Sequence, residues 1–261
     1  MFDCMPKEIK KDMLDRLVPF GSKEVPSHAK SKLVGSIFDN VAERYDLMND
    51  IMSGGIHRIW KRRIIDELSS RPPNRLLDLA GGTGDIALRA RKRFAINETE
   101  ITVCDINSKM LEQGRKRAWD LGYVRSINWL CANGESLPFP NNQFDACTLG
   151  FGLRNMTNIE VALSEIARVI KPGGRFICLE FTPDVAPSLN NAYKAYSKHI
   201  IPRLGNWITG HPEAYRYLVD SIRRFPHASQ VSNMLGQAGF GGIRISALSA
   251  GIASLHSAWR I

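Results

Sequence analysis

Short apolar runs alternate with longer amphipathic stretches along most of this chain. Arg75 to Leu79 (RLLDL), Ile101 to Asp105 (ITVCD), Ile127 to Cys131 (INWLC), Phe144 to Leu149 (FDACTL) and Arg175 to Glu180 (RFICLE) have the length and composition of buried strands. Between them, Ile86 to Phe94, Lys109 to Leu121 and Ile159 to Ile170 repeat apolar residues at helical spacing. Lys171-Pro172-Gly173-Gly174 reads as a turn that stops the last of these helices. Strands alternating with helices predict βαβ units and a parallel sheet, hence a doubly wound, Rossmann-like α/β fold. Gly242 to Ala247 and Ile252 to Arg260 read as two further strands that end the sheet in an antiparallel edge.

The flanks read differently. Pro6 can start a short helix with Ile9, Met13, Leu14 and Leu17 on one face, broken by Pro19, Gly21 and Pro26. Ser31 to Leu68 is helical, with an interruption at Ser53-Gly54-Gly55, and residues 186–235 are mostly helical. This predicts an extension over residues 1–30 and one domain over 31–261, with helical additions at 31–70 and 186–235.

Composition narrows the class. A chain of 261 residues suits one well-packed α/β domain. No apolar run approaches the roughly 20 residues that cross a bilayer. Asp3, Glu8 and the lysines among the first residues argue against a secretory signal or transit peptide. Five cysteines form no CxxC pair, and Cys104, Cys131, Cys147 and Cys178 read as small buried core residues of a cytoplasmic protein. The net charge of +9 suits an anionic surface. The basic clusters Arg58-Lys61-Arg62-Arg63 and Arg89-Arg91-Lys92-Arg93 are not interleaved with aromatics, which argues against nucleic acid and leaves a membrane surface open.

The strongest chemical signal is Asp78-Leu79-Ala80-Gly81-Gly82-Thr83-Gly84-Asp85, between the first strand and its helix. Glycines there allow a tight turn and a close approach of backbone to ligand. Gly82 to Ala87 also fits the G-x-G-x-x-A dinucleotide fingerprint, and Asp105, closing the next strand, suits the ribose diol of either cofactor. Charge separates the two readings. Asp78 and Asp85 crowd carboxylates around the loop, which repels a pyrophosphate and favours the ammonium group of S-adenosylmethionine. Asn133 and Gly134, after the third strand, are placed to lie over an adenine edge, with a plain loop as the alternative. Gly150 to Asn155 follows the fourth strand, where Arg154 can hold a phenolate or a water, or else be an ion-pairing arginine.

These residues resemble the UbiE-type ubiquinone/menaquinone biosynthesis C-methyltransferases. The likeness is carried by Tyr45-Asp46-Leu47-Met48-Asn49-Asp50, Gly55-Ile56-His57-Arg58-Ile59-Trp60-Lys61, the DLAGGTGD loop and Asp105-Ile106-Asn107. It continues through Phe151-Gly152-Leu153-Arg154-Asn155, the Lys-Pro-Gly-Gly turn and Leu179-Glu180-Phe181, then Ala195-Tyr196-Ser197-Lys198-His199 and Tyr215-Arg216-Tyr217-Leu218.

The resemblance implies a class I S-adenosylmethionine-dependent methyltransferase fold, with residues 31–70 as a lid and 186–235 as a substrate-side insertion. It implies S-adenosylmethionine as cofactor and C-methylation of a polyprenyl benzoquinol, in some members also of demethylmenaquinol. Cofactor contacts fall on Thr83, Asp105, Asn133 and Gly134, beside Asp78 and Gly81 of the loop. A further contact falls on Gly150, where the family carries a small hydroxyl residue. Candidates for the base or its relay are Arg154 (through a water), His57, Tyr196 and His199, each histidine having a structural role as its alternative. No metal is implied. The expected partners are the quinol and the inner-membrane surface, approached peripherally from the cytoplasm, with other quinone-biosynthesis enzymes and a second copy left open. A methyltransferase of another small molecule or of RNA, and a non-catalytic quinone-pathway scaffold, stay open on the residues alone.

Overall fold

Adjacent strand residues point to opposite faces of a sheet, and here both faces are covered. Leu76 and Leu77 are neighbours on one strand and both are fully buried. Leu76 joins a cluster with Trp60, Ile86 and Leu218 on one face, and Leu77 joins Ile166 and Leu235 on the other. That is why the strands read as continuous apolar runs.

The computed structural model describes residues 16–41, 50, 53–96, 98–188 and 212–261. Its elements are β1 (Leu17–Phe20), β2 (Lys23–Pro26), α1 (Ser27–Val41), α2 (His57–Ser69), β3 (Arg75–Leu79), α3 (Asp85–Arg93), β4 (Glu100–Asp105), α4 (Ser108–Asp120) and β5 (Ile127–Cys131). They continue with β6 (Phe144–Gly150), a 3-10 turn at Leu153–Asn155, α5 (Ile159–Val169), β7 (Ile170–Phe181), α6 (Pro212–Arg224), α7 (Ala228–Gln237), β8 (Phe240–Leu248) and β9 (Ala253–Arg260). The seven-stranded sheet has the order β5-β4-β3-β6-β7-β9-β8. Strands β3 to β7 run parallel, and β9 lies antiparallel between β7 and β8. The order departs in opposite directions from β3 and β6, and a crevice opens beyond their carboxyl ends.

Several expectations are corrected. The helix expected from Pro6 lies outside the described residues except at Leu17, which belongs to a β1–β2 hairpin: Pro19 and Gly21 shape a short two-stranded ribbon instead of breaking a helix. Helix α1 starts at Ser27 and not at Ser31. The Lys-Pro-Gly-Gly stretch does follow the end of α5, but it is a bulge within β7. Phe144 pairs with Ile170 and Ala146 with Arg175, so the intervening residues loop out while pairing resumes. Cys131 is exposed, because it ends an edge strand where its thiol turns to the carbonyl of Ile106.

The basic clusters are also narrower than the sequence suggests. Arg58 pairs with Asp50, Lys61 is buried against Asp85, Arg89 pairs with the same Asp85, and Arg91 is buried against the carbonyls of Phe94 and Thr99. Arg62, Arg63, Lys92 and Arg93 remain exposed.

Candidate active site

The crevice holds a cavity bordered by residues at the carboxyl ends of four parallel strands: Ala80 and Gly82 after β3, Asp105 to Asn107 at β4, Ala132 to Glu135 after β5, and Phe151, Gly152 and Asn155 to Thr157 after β6. Helix α1 closes it from above with Ser31, Val34, Gly35 and Phe38. That helix is fastened at both ends. Lys30 donates to the carbonyl of Met156 at 2.7 Å, and Asn107 donates from Nδ2 to Asp39 Oδ1 at 2.8 Å.

Asp105 is the carboxylate at the centre of the floor. Its Oδ2 accepts from Gly82 N and its Oδ1 from Asn107 N, both at 2.8 Å. Burial raises its pKa, and those backbone N–H groups work against the rise. Each oxygen keeps a lone pair for a second donor, which suits the two hydroxyls of a ribose.

The charge around the glycine loop is arranged differently from the sequence expectation. Asp78 is fully buried; its Oδ1 accepts from Thr148 Oγ1 at 2.8 Å and its Oδ2 from Ala87 N at 3.1 Å. It therefore caps the first turn of α3 from below, a task that Gly84 at the helix start cannot perform. Burial pushes its carboxyl up to about 7, against the bonds from Thr148 and Ala87. Asp85 is half-buried, and Lys61 Nζ at 2.8 Å and Arg89 Nε at 3.0 Å outweigh its desolvation and bring its carboxyl down to about 2. The loop does not present two uncompensated carboxylates to a ligand.

Of the residues singled out from sequence, Asp105, Asn133 and Gly134 border the cavity together. Gly81 and Thr83 lie in the loop behind Gly82, and Thr83 Oγ1 accepts from Arg117 at 3.4 Å. Gly150 faces Ile86, whose Cδ1 would stand 2.5 Å from a Cβ there, so this packing favours a glycine at the position. Arg154 is buried one residue from the cavity wall. Its Nη1 pairs with Glu180 Oε1 at 2.6 Å, while Nε and Nη2 have no partner among the described residues. His57 is buried at the start of α2 with Nδ1 3.0 Å from Ser53 Oγ, away from the cavity wall. Burial, with Lys61 adding to it, holds its imidazole down to about 4. Tyr196 and His199 lie outside the described residues.

The sequence reading missed Met110, Met156 and the inner face of α1. Val34 and Phe38, four apart, are a helical signal, but nothing in their spacing says that they face a ligand.

The cavity fits S-adenosylmethionine. Among the described residues that border it there is no Lys or Arg to meet a pyrophosphate, while Asp105 and Glu135 are acidic. Gly134 and Gly152 leave room that a side chain would fill: a Cβ on Gly134 would stand 2.9 Å from Met156 Cε, and one on Gly152 2.5 Å from Ala80 Cβ.

Comparison with known proteins agrees. The sequence model of the ubiE/COQ5 methyltransferase family matches residues 26–260. The ubiquinone/menaquinone biosynthesis C-methyltransferase UbiE of a Bradyrhizobium species is 47% identical over 96% of this chain and 100% of that protein. The protein of the same name from Methylobacterium nodulans is 50% identical over 93% of this chain and 96% of its own. Among solved structures, a SAM-dependent methyltransferase of Thermotoga maritima aligns with a TM-score of 0.60 at 17% identity, covering 87% of this chain and 100% of that one, which shows the fold.

Proposed function

The chain belongs to the ubiE/COQ5 methyltransferase family, and from that premise we propose that it methylates a ring carbon of a polyprenyl benzoquinol in ubiquinone biosynthesis, with demethylmenaquinol as a second acceptor. The observation that carries the reading is the cavity beyond β3, β4, β5 and β6, with Asp105 on its floor and no basic residue among its described lining. The names of its relatives supply the acceptor class.

S-adenosylmethionine supplies an electrophilic methyl group on a sulfonium. Asp105 holds the ribose diol, Asn133 and Gly134 the adenine edge, and the Gly81 to Thr83 backbone the amino-acid end. Asp78 acts beneath them by fixing the loop and the start of α3. An aromatic carbon attacks a methyl group well only when its ring is electron-rich, so the protein must favour the phenolate of the quinol. Arg154 is paired with Glu180 through Nη1, but its Nε and Nη2 have no partner among the described residues and lie next to Asn155, from where they support that oxyanion directly or through a water. Tyr196 and His199 remain candidates for taking the proton. His57, buried and bonded to Ser53, serves better in holding α2. Helix α1, which closes the cavity with Ser31, Val34, Gly35 and Phe38, would exclude water from the bound groups.

A polyprenyl tail keeps the acceptor in the bilayer, so the enzyme works on the cytoplasmic surface of the inner membrane as a peripheral protein. No helix among the described residues is long and apolar enough to cross a membrane. Arg62 and Arg63 are exposed on α2 beside the exposed Ile56 and Ile59, and each basic residue at an anionic surface is worth about 1 kcal/mol. Liposomes of anionic and neutral lipid across a salt series test this; equal, negligible pelleting at low salt rules it out.

The activity itself is tested by quinone profiling in a strain lacking the protein, together with methyl transfer from labelled cofactor to a short-tailed prenyl benzoquinol. An under-methylated quinone should accumulate. A normal quinone profile with no transfer in vitro would sink the proposal.

A further inference from the structure

Phe151 stands in the left-handed region at φ 61°, a conformation that a bulky side chain keeps only where its surroundings hold it. Its N–H donates to the carbonyl of Leu179 at 2.8 Å. Its own carbonyl accepts from Arg154 Nη1 and, at 3.5 Å, from Asn155 Nδ2. A carbonyl can only accept, so the Asn155 amide has its nitrogen on the Phe151 side and Oδ1 on the other. On that other side the Tyr217 hydroxyl lies 3.0 Å from Oδ1, and it must therefore donate. Burial pushes this phenol up to about 12, so the donor keeps its proton at any working pH.

The ring of Tyr217 is set by the hairpin: it packs on Phe20 with centroids 4.9 Å apart. Asn155 borders the cavity beside Phe151 and Gly152. One hydrogen on its Nδ2 is directed at Phe151, and the second has no acceptor among the described residues. The Tyr215-Arg216-Tyr217-Leu218 block, to which the mechanism assigns no task, thus reaches the site from α6 through one hydroxyl.

We propose that Tyr217 is a positioning residue for methyl transfer: its hydroxyl fixes the Asn155 amide so that Nδ2 presents a donor to the oxygen of the acceptor quinol. Its kinetic consequence rests on the quinol reading, whereas the amide orientation rests on geometry alone.

Tyr217→Phe removes one oxygen and keeps the ring against Phe20. With a short-tailed prenyl benzoquinol, kcat should fall about tenfold, the worth of one hydrogen bond, while KM and cofactor affinity stay put and the thermal midpoint drops by no more than the loss of that one bond. Asn155→Ala should lower kcat at least as far, and the double variant no further. Wild-type kcat in Tyr217→Phe, or losses that multiply in the double variant, overturn the proposal. The side-chain amide resonances of Asn155, identified by their loss in Asn155→Ala, read the orientation without any acceptor. Tyr217→Phe should shift and broaden them, and unchanged signals overturn the proposal too. A wild-type enzyme that leaves the quinol unmethylated would instead sink the functional reading, with the resonances then deciding this one.

Discussion

Lys61 Nζ lies 2.8 Å from Asp85 Oδ2, both side chains nearly sealed from solvent, and the pair ties α2 to the first residue of the helix after the glycine loop. Breaking a buried pair strands a charge, whereas replacing both partners often does little. Lys61→Met should destabilise by about 3 kcal/mol in urea unfolding, the low end for such a loss because Arg89 still holds Asp85. Adding Asp85→Asn should recover a large part of it. Strictly additive losses would show that the two residues do not act as a pair.

Asp105→Ala should weaken cofactor binding by about 2–4 kcal/mol, since two charge-assisted bonds of roughly 1.5–3 kcal/mol each are partly replaced by water. Titration calorimetry with S-adenosylmethionine and its demethylated product measures this. An unchanged dissociation constant would remove Asp105 from the ribose site.

Two glycines on the cavity wall should respond differently to alanine. A Cβ on Gly152 would meet Ala80 Cβ at 2.5 Å, and Ala80 is itself held at φ 50°. Neither atom can turn aside, so Gly152→Ala should cost about 2–3 kcal/mol of stability and weaken cofactor binding. A Cβ on Gly134 meets the end of Met156, a flexible side chain. Gly134→Ala should therefore cost less than about 1 kcal/mol, well within the range of tolerated repacking. Thermal unfolding of the two variants side by side decides the order.

Acid should destabilise the fold through His57. Its imidazole sits at about 4 in the native state against 6.5 when unperturbed. Between those values the unfolded chain binds a proton that the native chain refuses, so stability is full above the higher value and falls as the pH drops toward the lower, by up to about 3 kcal/mol. His57→Gln should flatten the stability curve across that window, and parallel curves would assign the slope to other groups.

Much of the sheet was legible because its punctuation is local. Strands β3 and β5 end where Gly, Pro and polar residues end their apolar runs, and Asp105 closes β4 where the sequence put it. The hairpin was not legible, because Pro19 and Gly21 look the same whether they stop a helix or shape a ribbon of two short strands. Asp85 shows why the site was only half readable. Its partner Arg89 stands one helical turn away, a spacing visible in the sequence, but Lys61 arrives from another helix. Without Lys61 the loop looked more acidic than it is. Likewise Arg154 and Glu180 meet only because β6 and β7 are neighbours in the sheet.

The place of β9 has a consequence for how the protein is made. It inserts between β7 and β8, yet it follows both in the chain. As the polypeptide leaves the ribosome, β8 emerges with no strand to pair with, and β7 keeps a bare edge until β9 arrives. Through that interval the nascent chain exposes two open strand edges to other chains, so a chaperone that shields this end during synthesis should raise the yield of folded enzyme more than one acting on the finished chain.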